Sequence, residues 1–497
     1  MLDNILLGFA AAGTLENLGY ALIGALLGTL IGILPGLGPL ATISLLLPFT
    51  YGLDPLSALI MLAGIYYGSA YGGSTTAILM SLPGETASAV TVVDGYQMSR
   101  NGRAGVAITT AAVGSFVAGC IGTLVIAAFA TPLTRVAVDF GPAEYFSLMV
   151  LGLLGAVTMS SGSITKAIAM VVLGLALGLL GTDVNSGAQR FTFGLQELWD
   201  GIDFIVLAVG LFAFGEIVSS LASREPPLTQ HASLSSLLPN REDIRRMIPA
   251  IFRGTGIGSI LGVLPGAGMS MSSFMSYGIE KRFSGHGDEF GRGAIEGVAG
   301  PEAANNAAAQ TAFIPTLTLG IPGSPTMALI LGALVMHDIQ PGPNVIATNP
   351  TLFWGLIASM WIGNLMLVLL NLPLVGIWVK MLSVPYRFIF PGILMFSCVG
   401  VYSANFSTFD LYLTALFGVA GVLLRYLRFE PAPLVLGFVL GPIMEENFRR
   451  AMLFSGGSYS IFVSTWLSAG LLALAALLAV WTAWSSLRGR RLAALED

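Results

Sequence analysis

Residues 32–49 read GILPGLGPLATISLLLPF, and the pattern returns at 262–279 as GVLPGAGMSMSSFMSYGI, with Gly32 matched by Gly262 at an offset of 230. In each copy an apolar run meets Leu-Pro-Gly. The proline offers no N–H and disfavours helix in the residue before it, while the glycine admits positive φ, so a helix stops or breaks there. Gly38, Pro39, Thr42 and Ser44 follow the first copy, and Gly268, Ser270, Ser272 and Ser273 follow the second. Downstream, LMSLPGETAS (79–88) is answered by LTLGIPGSPT (317–326), with Pro83 matched by Pro322 at an offset of 239. Order and spacing are both kept, which calls for two similar units with two breaks each.

The surroundings of these breaks are those of a membrane protein. Of 497 residues, 55% are hydrophobic and 10% charged, and mean hydropathy is +0.82. A soluble chain carries nearer a quarter charged residues. Apolar runs long enough to cross ~30 Å of hydrocarbon lie near 18–34, 55–70, 104–131, 143–181, 202–222, 247–264, 303–334, 351–380, 386–427, 431–448 and 459–487. Several must be double or broken, giving about a dozen crossings. The runs are continuous and not alternating, which excludes a transmembrane barrel. The expected fold is all-α and polytopic. The first 99 residues hold no Lys or Arg, so no cleavable signal peptide is expected. Cys120 and Cys398 sit in apolar runs and read as packing residues. The net charge of −5 gives no reason to expect a nucleic-acid partner.

The polar stretch at 223–246 reads as a cytoplasmic surface linker between a first half (1–222) and a second half (247–497). Equivalent positions in the halves differ in charge. Residues 1–17 and 51–55 lack cations, whereas the matching places in the second half carry Arg241, Arg245, Arg246 and Arg253, then Lys281, Arg282 and Arg292. After the second break the contrast reverses: Arg100 and Arg103 in the first half, HDIQPGP (337–343) in the second. Cations mark the cytoplasmic side, so matching positions are expected on opposite faces, as in an inverted repeat. A duplication that built only a scaffold would put Pro and Gly at helix contacts. The concentration of Pro, Gly and polar groups at corresponding breaks favours a site instead, because backbone freed inside a bilayer persists only where protein or a water-filled cavity satisfies it.

Candidate site residues follow from that logic. YGSAYGGSTTAILMSLPGETAS (67–88) places Gly72, Gly73, Ser74, Thr75 and Thr76 among apolar residues; a half-helix starting there would offer free N–H groups and hydroxyls to an anion. In EGVAGPEAANNAAAQTAF (296–313), Pro301 is expected at a helix start, with Glu302 in the first turn as an N-terminal cap and Asn305 and Asn306 just inside. Carboxamide oxygens suit a hard cation such as Na⁺, and their NH₂ groups suit a carboxylate. Substrate contacts are therefore expected from Thr42, Ser44, Ser74, Thr75, Thr76, Asn305, Asn306, Ser324 and Thr326, and cation contacts from Gly36, Gly73, Gly266, Asn306 and Gly323. Asp94 and Asp338 read as solvated turn residues, and Glu445 and Glu446 as i,i+4 partners of Arg449 and Arg450. His231, His286 and His337 are scattered, and no HExxH, paired CxxC or GxSxG is present, so neither an enzyme, a transition-metal site nor a bound cofactor is expected.

Taken together, the two LPGxG breaks, YGGSTT with LPGETAS, GPEAANNA, and IPGSPTMALILGAL leading to IQPGP resemble the large permease subunit of the tripartite tricarboxylate transporters, the TctA family, over nearly the whole chain. The resemblance implies a bacterial inner-membrane secondary transporter working with a small membrane subunit of about four helices and a periplasmic solute-binding protein that delivers a carboxylate. It also implies import driven by a cation, usually sodium, through inverted repeats with re-entrant hairpins that move as an elevator. The alternatives are a stand-alone ion or solute permease and, from another class, an intramembrane hydrolase.

Overall fold

A computed structural model describes residues 2–34, 38–81, 84–137, 140–158, 163–183, 186–214, 238–264, 268–381 and 386–493. In chain order the helices are α1 (Leu2–Ala12), α2 (Leu15–Ile33), α3 (Pro39–Thr50), α4 (Pro55–Met80), α5 (Thr91–Met98), α6 (Ala104–Ala137), α7 (Pro142–Thr158), α8 (Ile164–Gly178) and α9 (Phe204–Phe214). After the polar stretch come α10 (Arg241–Val263), α11 (Gly268–Phe283), α12 (Glu296–Thr311), α13 (Phe313–Leu319), α14 (Pro325–Met336), α15 (Pro350–Asn371), α16 (Val375–Met381), α17 (Tyr386–Asn405), α18 (Thr408–Tyr426), α19 (Ala432–Phe454) and α20 (Trp466–Ala493). The described sheet is one two-stranded hairpin, in which Gly181 pairs with Arg190. Five helices are long and apolar enough to cross a membrane alone, and several shorter apolar ones accompany them. The runs at 143–181 and 386–427 each divide into two helices, and 303–334 falls on the broken series α12–α13–α14. The chain is an all-α, multi-pass membrane protein.

The breaks have a local cause, and it recurs at the two offsets. Thr14 caps α2, its Oγ1 accepting from the Asn17 N–H. At the other end Leu34 leaves helical backbone at ψ 114°, its N–H turning back to Ile31 O. Leu264, 230 residues on, ends α10 in the same way, at ψ 126° with its N–H on Leu261 O. At the second pair of breaks, α4 ends on left-handed Ser81 (φ 59°) and α13 on left-handed Gly320 (φ 65°), an offset of 239. Glu85 and Ser324, again 239 apart, are the N-caps of the next helical segments. Pro35, Gly36, Pro265 and Gly266 lie outside the described residues.

Small residues set how closely the central helices pack. A Cβ on Gly24, Gly28 or Gly32 of α2 would come within 2.6 Å of the carbonyl oxygens of Met61, Ile65 and Ser69 on α4. Gly254, Gly258 and Gly262 of α10 make the same approach to Gly300, Ala304 and Ala308 on α12. Each helix of the second pair is displaced from its counterpart by the offsets found in the sequence. The outer helices face the other way: Tyr412, Leu416, Val419 and Leu423 of α18, and Leu477, Val480 and Trp481 of α20, are exposed, as lipid contact requires.

Three expectations need correction here. Residues 72–76 do not begin a half-helix, because α4 runs unbroken to Met80 and its break comes at Ser81. Pro301 lies inside α12, which begins at Glu296, so Glu302 is a mid-helix residue and not a cap. Asp94 is fully buried, with Oδ1 accepting from the N–H groups of Gly291, Gly293 and Ala294 and Oδ2 from the Tyr277 hydroxyl. Its neighbourhood is a crossing point of the two halves, and sequence separation of about 200 residues hid those partners. Asp338 is exposed in a positive-φ turn, and Glu445 and Glu446 do pair with Arg449 and Arg450. Within the expected linker, residues 223–237 lie outside the described set, and 241–246 are the first turns of α10, whose Asn240 cap and Asp243 side chain form a reciprocal capping box.

The charged loops gather by face. Arg103 pairs with Asp243 at 2.5 Å, Asn101 Nδ2 donates to Arg292 O, and Arg246 pairs with Glu296 at 2.8 Å. The segments bearing Arg103, Arg246 and Arg292 thus share one side, while Arg190 and Arg449 gather separately around Asp183 and Glu445. His337 lies beside Thr50 and Asp54, which joins the cation-free segments.

Candidate functional site

Two helices stand apart from a lipid-soaked pattern. Every residue of α4 from Leu56 to Leu79 is buried, and so are all 16 residues of α12, although α12 reads EGVAGPEAANNAAAQT. A polar helix enclosed on every side must find its partners inside the protein.

Those partners converge on Glu302. Its Oε2 accepts from Ser74 Oγ of α4 at 2.5 Å and its Oε1 from Thr91 Oγ1 of α5 at 2.5 Å. One helical turn along, Asn305 Nδ2 donates to Glu85 Oε1 at 3.4 Å, and the Tyr66 phenol, hydrogen-bonded to Ser324, lies within electrostatic range of Glu85. Gly73 faces this group at a distance that leaves little room: a Cβ there would sit 3.3 Å from Glu85 Cγ and from Ser88 Oγ. Thr86 Oγ1 and Ser270 Oγ, 2.8 Å apart, join the two halves at the solvent edge. The cluster therefore runs from exposed Thr86, through half-buried Glu85, to Glu302 at 1% exposure.

Asn305 and Asn306 diverge, as adjacent residues on a helix must. Asn306 Nδ2 donates to Ser115 Oγ of α6 at 2.6 Å and to Glu302 O. The Oδ1 atoms of both asparagines, and both polar atoms of Gln310, are buried with no hydrogen-bond partner. A cavity of about 10 Å³, lined in part by Tyr71, Ser74, Thr75, Ser115 and Asn371, lies alongside; it has room for a single water molecule.

Thus Gly73, Ser74 and Asn305 come together around two carboxyl groups, and Ser324 is joined to them only by way of Tyr66. The others are placed differently. Thr76 Oγ1 donates to Ile33 O, closing the end of α2. Thr42 and Ser44 bond to their own helix at Gly38 O and Ala41 O, and Thr75 to Tyr71 O. Gly323 faces the α10 end at Gly262 O and Leu264 O, and Thr326 is buried in the first turn of α14. Gly36 and Gly266 fall outside the described residues. The centre of the cluster, Glu302 with Glu85 and Thr91, is absent from the sequence-derived set. An acid in an Ala-rich run between two breaks was the available signal, but it was masked by reading Pro301 as a helix start.

No described Lys or Arg enters an ion pair with Glu85 or Glu302. Two carboxyl groups, unpaired amide oxygens and hydroxyls form a hard-oxygen environment, which suits a small cation. An anion would be accepted beside them only together with positive charge.

The family model for the tripartite tricarboxylate transporter TctA family matches residues 18–436. The chain is 54% identical over 491 residues to the "Uncharacterized 52.8 kDa protein in TAR-I ttuC' 3'region" of Agrobacterium vitis, covering 99% of this chain and 98% of the relative. It is also 56% identical over 234 residues to the "Uncharacterized protein in TAR-II ttuC' 3'region" of the same organism, covering 47% of this chain and 97% of that relative. No solved structure matches. With most of its length matched and a full-length relative at this identity, the chain belongs to the tripartite tricarboxylate transporter TctA family, a family of transporters and not of enzymes.

Proposed function

We propose that this chain is the subunit that moves a tricarboxylate or related organic acid across the bacterial inner membrane, driven by a cation gradient in which sodium is the coupling ion. The family works with a small membrane subunit and a periplasmic binding subunit, and here the first has about four helices and the second delivers the substrate. The observation that carries the reading is the buried cluster of Glu302, Glu85, Ser74, Thr91 and Asn305, formed where two matched pairs of helix breaks approach each other. Irregular backbone at membrane depth, flanked by unpaired hard oxygens, is how secondary transporters hold a coupling ion near the midplane.

In this reading 1–222 and 247–497 are inverted repeats, the Pro-Gly breaks form re-entrant hairpins, and the enclosed α4 and α12 move with the ligand as an elevator against the lipid-facing helices. The recurrence of caps and close helix contacts at offsets of 230 and 239 supports the repeat. The gathering of Arg103, Asp243 and Arg292 on one face supports the opposed orientation. Sodium bound beside the two carboxyl groups would offset their negative charge, which gives a physical reason for symport: the anion is tolerated only when the cation is present. The N-terminal N–H groups of α3 and α14, at the breaks that carry Thr42, Ser44, Ser324 and Thr326, supply the anion's donors.

The test is uptake of radiolabelled citrate and other carboxylates into proteoliposomes containing this chain and the small subunit, with the binding protein added outside. Uptake requiring all three proteins and an inward sodium gradient is expected. Equal uptake without the binding protein would favour a stand-alone permease.

A further inference from the structure

On the face that gathers the cations, a groove of about 680 Å³ lies between the start of α10, the end of α11 and the start of α12. Arg241, Arg245, Arg246, Arg253, Phe283 and His286 line it, with Glu242 and Glu296 as its acids. Two of the arginines are already matched. Arg246 holds Glu296 and Glu289 at 2.8 and 2.6 Å, and Arg253 clasps the buried Glu280 through two bonds of 2.8 and 2.6 Å. Arg241 and Arg245 are exposed and make no ion pair among the described residues. Arg241 and Arg245, one helical turn apart and outnumbering the one acid between them, Glu242, present fork-shaped donors suited to a phosphate.

The rim tells which phosphate. Arg241, Arg245, Pro249 and Arg253 form one stripe of α10, spaced at four residues. The adjoining stripe is Ile244, Ile248 and Phe252, exposed by 43, 46 and 58%. Across the groove, Phe283 at the end of α11 is 68% exposed. A site for a soluble anion needs no outward apolar walls, whereas cations bordered by exposed aliphatic and aromatic side chains are the pattern of a helix lying at the headgroup boundary. We propose that this groove is a binding site for an acidic phospholipid, its phosphate held by Arg241 and Arg245 and its acyl chains lying along Phe252 and Phe283. A lipid there would bridge α10 to α11 beside the Arg253–Glu280 pair that joins them and the Arg246–Glu296 pair that holds the start of α12, the helix bearing Glu302.

Native mass spectrometry of the full-length protein in a nonionic detergent, titrated with phosphatidylglycerol, phosphatidylcholine or glycerol phosphate, tests this. The wild type should retain phosphatidylglycerol in preference to the other two. The double variant R241Q/R245Q should lose roughly thirtyfold in phosphatidylglycerol affinity, the equivalent of about 1 kcal/mol for each arginine, with an unchanged melting temperature in lipid-free detergent. F283A, which leaves the charges in place, should weaken phosphatidylglycerol binding. R100Q, which removes an exposed cation outside the groove, should leave it as in the wild type. Undiminished phosphatidylglycerol binding by R241Q/R245Q, an equal loss in R100Q, or glycerol phosphate binding as tightly as the lipid would each overturn the proposal.

Discussion

Ser74 Oγ lies 2.5 Å from Glu302 Oε2 and 2.9 Å from Ala70 O, so one hydroxyl hydrogen serves two acceptors, one in its own helix and one 228 residues away across the molecule's internal boundary. Removing either partner leaves a buried polar atom without its bond. Glu302→Ala orphans the Thr91 hydroxyl and leaves Ser74 Oγ with Ala70 O alone, and an unmade buried bond costs about 1–3 kcal/mol. Ser74→Ala should cost less, because Thr91 still holds the carboxyl. Thermal melting of the two variants in detergent should therefore rank Glu302→Ala below Ser74→Ala, and the reverse order would contradict this arrangement.

Gly84 is held against the end of α2 so closely that a Cβ would lie 2.1 Å from Gly32 O and 2.7 Å from Gly73 Cα. Both are backbone atoms and cannot step aside. At Gly73 the nearest atoms, at 3.3 Å, belong to the Glu85 and Ser88 side chains, which can move. Gly84→Ala should thus destabilise by at least about 1–3 kcal/mol, as over-packing does, and abolish uptake. Gly73→Ala should insert and melt near the wild type. Equal stability of the two variants would place the second break elsewhere.

Asn305 and Asn306 should differ on substitution. Asn306 is anchored on α6 through Ser115, so Asn306→Ala should chiefly lower the melting temperature, by the worth of an orphaned buried hydroxyl. Asn305 reaches Glu85 at the second break, so Asn305→Ala should raise the sodium concentration for half-maximal uptake with a smaller loss of stability. A sodium titration of uptake beside a melt of each variant checks both. Unchanged sodium dependence in both variants would move the cation to backbone carbonyls of the breaks.

Much of this architecture was legible because its causes are local. Leu-Pro-Gly stops a helix whatever surrounds it, and Leu34 and Leu264 turn out of helix just where those motifs begin. The paired offsets could be read for the same reason. What was misread depends on enclosure. Pro301 looks like a helix start by local preference, yet α12 continues through it inside a sheath of neighbouring helices. Asp94 looks like a solvated turn until Gly291, Gly293 and Ala294 arrive from the other half. Glu302 looks like a helix cap for the same reason, since an acid's role is set by what faces it, and Ser74 and Thr91 face it only after folding.

The face assignments invite a direct check. Single cysteines at Gly52 and Asp338, near the Thr50–His337 side, and at Arg100 and Arg245, on the arginine side, can be placed in a background with Cys120 and Cys398 replaced by serine. An impermeant thiol reagent applied to intact spheroplasts should label the first two and spare the others, as the cation bias requires. Labelling of Gly52 and Asp338 from opposite sides would end the inverted-repeat reading.

The central claim is that the Glu302 cluster couples a cation to carboxylate movement, and Glu302→Gln tests it most directly because the amide keeps the shape and an acceptor oxygen while removing the charge. The measurement is citrate uptake into proteoliposomes carrying the complete three-protein system, with and without an inward sodium gradient. Wild-type uptake should rise above equilibrium with the gradient, and the Glu302→Gln protein, folded by its melting profile, should only equilibrate citrate or fail to move it. Accumulation by Glu302→Gln with the wild-type response to sodium would contradict the claim.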